Sequence, residues 1–146
     1  MALDAVERDI GGGQTRQPGI LAFSFRLPRP TLTLNVWQRM SPWKRTRYAR
    51  DLAWEIRIAY GEPLPFRPLE RARLVLLRHG IQAPDTDGLI GGCKPLIDCL
   101  LAQSARHPHG LGFIVDDSSD RLRLVAEHVQ VRHLRDQCTV VEIWTI

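Results

Sequence analysis

The sequence predicts an α+β fold: a small mixed β-sheet of about four strands with two main helices, in the order β-α-β-α-β-β. Three patterns carry this expectation. Apolar residues alternate from Leu21 to Leu27, an amphipathic helical repeat runs from Pro42 to Tyr60, and a dense apolar run lies at Leu74 to Leu77. With 146 residues, 44% of them hydrophobic, the chain can cover one core and no more. The expected organisation is a single domain over 19–146, preceded by a flexible tail over 1–18 that contains Gly11-Gly12-Gly13 and no apolar period.

In the first strand Leu21, Phe23, Phe25 and Leu27 point one way, and Pro28 and Pro30 end it. Two helix starts follow. Asn35 with Gln38 has the spacing of a capping box, and Ser41-Pro42 offers an N-cap with proline in the first helical position. From Pro42 to Tyr60 the residues Ala49, Leu52, Ala53, Ile56 and Tyr60 share one face, and Gly61 supplies the stop. The second strand, Glu70 to Ile81, is apolar enough to be central and covered on both faces. It runs into Pro84-Asp85 in extended geometry. After a Gly91-Gly92 break, Pro95 opens a helix whose Leu96, Ile97, Leu100 and Leu101 face the core. Residues 103–112 form a loop. Arg121 to Val131 and Cys138 to Ile146 read as two closing strands, an antiparallel pair joined by a polar turn at Leu134 to Gln137.

Composition narrows the functional classes. No apolar run reaches the roughly 20 residues of a membrane helix, and no signal-peptide pattern opens the chain, so a soluble, cytoplasmic protein is expected. Cys93, Cys99 and Cys138 form no C-x-x-C pair and are read as reduced thiols. The histidines fit no metal-finger spacing. The sequence also lacks a Gly-x-Ser-x-Gly elbow and a Gly-x-x-x-x-Gly-Lys loop, so neither a serine hydrolase nor a nucleotide-dependent enzyme is indicated, and no small-molecule cofactor is expected.

Charge is the more telling property. The net charge is +4, and the segment from Val36 to Tyr60, with six basic against two acidic side chains, carries the whole excess. Eighteen of the 20 basic residues are arginine, which favours bidentate contact with phosphate. Lys44, Arg45, Arg47 and Arg50 are the candidate DNA-binding residues. Lys44 and Arg45 stand in the first turn of the predicted helix, where they oppose its dipole by about 0.3–1 kcal/mol each. Trp37, Trp43, Tyr48 and Trp54 are interleaved with them, either stacking on exposed bases or packing inward.

Six aspartates lie between Asp85 and Asp120: Asp85-x-Asp87, then Asp98, then Asp116-Asp117 and Asp120. In a basic protein such crowding is unfavourable unless a cation sits among them. Two or three carboxylates that leave room for water and substrate phosphate are the usual way of holding Mg²⁺. Such an ion activates water and neutralises phosphoryl charge, and Lys94 adds a compact positive charge for a transition state or leaving oxygen. Taken singly, Asp-x-Asp-Gly also makes ordinary turns, and Asp116 to Ser119 also suits a solvated loop.

The ordered set Asp85-x-Asp87-x-Leu89, Lys94-x-x-x-Asp98-x-Leu100 and Gly112-x-Ile114-x-Asp116-Asp117 resembles the RusA family of Holliday-junction resolvases, metal-dependent endonucleases of bacteria and their prophages. Asn35 and the Trp/Arg-rich helix extend the likeness over roughly residues 20–125. The resemblance implies that Asp85, Asp87 and Asp117 hold Mg²⁺, with Mn²⁺ as a substitute, and that these three with Lys94 are catalytic. It implies a homodimer acting on four-way or other branched DNA by paired symmetric nicks. Two departures stand out. Gly88 replaces the family's usual asparagine, and Gly91-Gly92-Cys93 places Lys94 seven residues beyond Asp87, three more than in the family pattern. A protein of the same fold that binds junctions without cutting them is the alternative expectation.

Overall fold

A computed structural model describes residues 19–146; the tail expected over 1–18 lies outside the described residues. The chain forms β1 (Leu21–Leu27), α1 (Leu34–Arg39), α2 (Pro42–Tyr60), β2 (Ala72–Gly80), α3 (Thr86–Gly92), α4 (Lys94–Leu100), β3 (Leu122–Gln130) and β4 (Cys138–Thr145), with a 3₁₀ turn at Leu134–Asp136. The fold is α+β with a mixed four-stranded sheet, and its elements follow the expected order, with α1 and α3 as additional short helices.

The strand order is β1-β4-β2-β3. β1 pairs antiparallel with β4, β4 antiparallel with β2, and β2 parallel with β3. This corrects the expectation that the last two strands form a hairpin. They run in opposite directions, but β2 lies between them. Local pattern cannot separate these outcomes, because β3 and β4 present the same alternation to either partner. The parallel β2–β3 pair needs a crossover, which α3, α4 and the loop after them provide.

Leu52, Ala53 and Ile56 of α2 and Leu96, Ile97 and Leu100 of α4 pack against Phe25, Leu27, Leu74, Leu76, Val141 and Ile143 of the sheet. Phe113, fully buried, meets Phe23, Phe25 and Tyr60 with ring centroids 5.1–5.7 Å apart. Aromatic pairs at such separations add about 0.5–1.5 kcal/mol each beyond burial. β2 is an inner strand, as expected, but only the row Ala72, Leu74 and Leu76 joins this core. On the other row Val75 is buried while Leu77 and His79 are half-buried, and Arg73 lies over the Trp144 ring at 5.3 Å. No residue of β2 is fully exposed on either face, the second row being covered less completely than the first.

α2 follows its sequence signals. Ser41 Oγ accepts from the Lys44 amide at 3.3 Å, Pro42 opens the helix, and Gly61 closes it at φ 90°. The expected capping box at Asn35 is not used: Thr33 takes the N-cap position of α1 and Asn35 lies inside it. The expected break at Gly91-Gly92 is not a break either. Both glycines belong to α3, which crosses the entrance to α1 so closely that only glycine fits. A Cβ on Gly92 would stand 1.7 Å from the Leu32 carbonyl oxygen, and one on Gly91 would stand 2.8–2.9 Å from Leu34 side-chain atoms.

Candidate active site

Asp85 is the N-cap of α3. Its Oδ1 accepts from the Gly88 amide at 2.7 Å, and its carbonyl accepts from Leu89 at 2.9 Å. Helix therefore begins directly after Asp85, and the extended Asp-x-Asp geometry expected from the sequence is corrected: Asp87 lies in the first turn, exposed to solvent. An aspartate oxygen aimed at free amides satisfies donors that the helix itself cannot. Gly88 belongs to this cap. A Cβ there would approach Asp85 Oδ1 to 2.7 Å, so glycine gives the capping carboxylate its closest approach to the amide.

Lys94 opens α4 beyond the far end of α3. Its Nζ donates to Asp98 Oδ1 at 3.2 Å, one turn along the helix, and His107 Nδ1 stands 3.9 Å from the same oxygen. Asp116 and Asp117 leave the core from a firmly tied segment. Ile114 donates to the Leu100 carbonyl, Val115 donates to the Leu69 carbonyl, and Leu69 donates back to Phe113, all within 2.9–3.0 Å. Asp116 accepts from the Asp117 amide at 2.8 Å. Hydrogen bonding from the Ser118 hydroxyl, then from the Asp117 amide, holds its carboxyl below the ordinary range.

Asp117 and Lys94 both line a cleft of about 530 Å³, together with Leu34, Trp37, Gln38 and Arg45. The acidic loop and the start of the basic helix thus share one concavity. Asp87 lies in the first turn of α3, one turn before Ile90 and Gly91, which also line the cleft, and Asp85 caps that turn. Among the described residues, no three His, Cys, Asp or Glu side chains converge as a group able to hold an ion. In chemistry the donor set suits a hard cation, since Asp85, Asp87 and Asp117 are exposed carboxylates.

The basic helix divides into two roles. Arg45 fastens the α1–α2 corner: its Nε donates to the Trp37 carbonyl at 3.1 Å and its terminal nitrogen to the Gln38 carbonyl at 3.0 Å, with the guanidinium 5.2 Å from the Trp37 ring centroid. Lys44, Arg47 and Arg50 are exposed. The aromatics divide likewise. Trp37 and Tyr48 pack on each other at 6.0 Å, and burial pushes the Tyr48 phenol up to about 12, whereas Trp43 and Trp54 are 67% and 61% exposed.

One residue that supports the site has no counterpart among the sequence expectations. Arg78 of β2, only 8% exposed, donates to the carbonyls of Thr31 and Gln82, both at 2.9 Å, and contacts His128 Nδ1 at 3.2 Å. It thereby joins the approach to α1 to the approach to Asp85. The available signal was an arginine directly after the apolar run Leu74 to Leu77, a placement that demands partners where the side chain is buried. Among known proteins, no family model, no curated protein and no solved structure matches the chain. Among the described residues no helix is long and apolar enough to cross a membrane.

Proposed function

We propose that this protein is a Mg²⁺-dependent, structure-selective DNA endonuclease that resolves four-way junctions by paired nicks, acting as a homodimer in the cytoplasm. The observation that carries the reading is the cleft that Lys94 and Asp117 line together with Trp37 and Arg45. It sets a carboxylate and an ammonium beside the helix that bears the chain's excess positive charge. A phosphodiester drawn to Lys44, Arg47 and Arg50 would arrive next to both, with the three basic side chains supplying sequence-independent attraction.

Asp85, Asp87 and Asp117 would hold the ion, which when bound supplies an activated water and charge neutralisation at phosphorus. The chain's own contributions are positional and electrostatic. The Asp85 cap fixes the direction of the Asp87 turn, and the strapped 112–115 segment presents Asp117. Lys94, held by Asp98 in the free protein, can turn its ammonium to a phosphate oxygen or to the departing alkoxide. The test is a labelled mobile four-way junction incubated with and without Mg²⁺. Symmetric nicks in the metal-containing reaction alone, abolished in Asp87→Asn, are expected. Metal-independent cutting or an active Asp87→Asn protein refutes the proposal.

The insertion that sets Lys94 seven residues beyond Asp87, with its ammonium paired to Asp98, favours a second reading, a junction-binding protein of the same fold without catalysis. It predicts tight binding and no nicks in either Mg²⁺ or Mn²⁺.

A further inference from the structure

Along the solvent side of α2 run Trp43, Arg47, Arg50, Trp54 and Arg57, at successive spacings of 4, 3, 4 and 3 residues, which is the repeat of one helical face. All five are exposed. Arg47 lies over the Trp43 ring at 5.6 Å and Arg57 over the Trp54 ring at 5.9 Å, so the row alternates flat aromatic surface with guanidinium. It extends about 21 Å at the helical rise.

Its C-terminal half opens into a second concavity, about 500 Å³, between α2, the proline-rich segment 64–68 and the loop 102–112. Trp54, Phe66, Arg50, Arg57 and His109 border it, and no carboxylate does so among the described residues. Phe66 is 94% exposed. Arg50 and Arg57 have carboxylate neighbours only at 3.6 and 3.7 Å, Asp51 and Glu62, in solvent-exposed pairs. Such pairs are weak, so both guanidinium groups are available to an incoming anion.

We propose that this groove binds a single-stranded DNA segment, with bases on Trp54 and Phe66 and phosphates on Arg50 and Arg57. Stacking requires bases released from a duplex, and the guanidinium row follows the charge of the backbone. An apolar peptide or a second copy of the chain would cover the aromatics but leave the arginines without purpose. The inference rests on the reading of DNA as substrate and adds to it. The groove lies about 14 Å along α2 from Arg45, by its nine-residue separation from Trp54, and would hold an unpaired strand near the branch point while a duplex arm occupies the first cleft.

The test uses a fluorescein-labelled oligothymidine of about 12 nucleotides, within the span of one small binding domain, and the full chain in EDTA. Anisotropy should report salt-sensitive binding, weakened roughly tenfold by Trp54→Ala and by Phe66→Ala, with Trp54→Phe retaining most of it. Both positions are exposed, and unchanged melting of the variants confirms intact folding. Absence of binding by the parent, or unchanged binding by folded alanine variants, overturns the inference. So does a change of oligomeric state in those variants, which would mark the groove as a protein interface. Junction nicking is scored separately. A parent that binds the oligonucleotide but never nicks defeats the nuclease reading and leaves the groove standing, whereas a parent that nicks while the alanine variants bind normally defeats the groove alone.

Discussion

Gly92 of α3 lies against the Leu32 carbonyl, with 1.7 Å between that oxygen and the place a Cβ would occupy. Backbone cannot yield as a side-chain tip can. Gly92→Ala is therefore expected to lower stability by about 3 kcal/mol, a loss on the order of 10 °C in melting temperature. Gly91→Ala, which meets only the Leu34 side chain, should lose markedly less. Thermal melts of the two variants check the contrast, and equal losses would contradict it.

The Asp85 side chain has two separable duties, capping and charge. Asparagine caps as well as aspartate, so Asp85→Asn should fold with parental stability yet lose Mg²⁺-dependent nicking. Asp85→Ala should lose about 1 kcal/mol in addition. Gly88→Asn should perturb the same cap, because its Cβ would press on Asp85 Oδ1. Denaturant melts paired with junction assays separate the two effects.

Arg78 is expected to be among the least replaceable residues of the sheet. Arg78→Met removes the donors that satisfy the Thr31 and Gln82 carbonyls and should lower stability by about 3 kcal/mol. Arg78→Lys should recover only part, since an ammonium lacks the fork that reaches both oxygens. Urea denaturation measures both.

Burial pushes the Cys93 thiol up to about 11 and the Cys99 thiol up to about 12, from an ordinary value of 9.0. With the folded values raised, the unfolded chain releases these protons first as pH climbs. Stability should hold below pH 9 and fall progressively between 9 and about 11–12. Cys93→Ala should flatten that decline while introducing its own packing loss. Melting temperature against pH reads the slope, and in the native protein both thiols should resist alkylation at neutral pH.

The parts of the fold legible in the sequence are those whose signals are local. Ser41-Pro42 and Gly61 bracket α2, and the alternation at Leu21 to Leu27 marks β1. Strand partnership was not legible, because β3 and β4 carry no feature that tells a hairpin from two strands separated by β2. Nor was α3. Its Gly88, Gly91 and Gly92 read as breakers, while their purpose is contact with Asp85, Leu34 and Leu32, residues whose proximity only the tertiary structure reveals. Of the candidate site, the sequence indicated the residue types but not their distribution. Lys94 and Asp117 share a cleft, while Asp85 and Asp87 sit at the start of a helix hidden from periodicity by its glycines. Trp54 was recognisable as an aromatic among arginines, but Phe66 joins it only through the path of the loop.

Among the described residues β1 has one neighbour in the sheet, β4, the strand that follows all the others in sequence. During synthesis the first strand thus emerges without that edge to join and must wait until β4 has been made. Removing β4 would strand β1 and part it from the β2–β3 pair, so the sheet closes only once its latest strand has entered the middle.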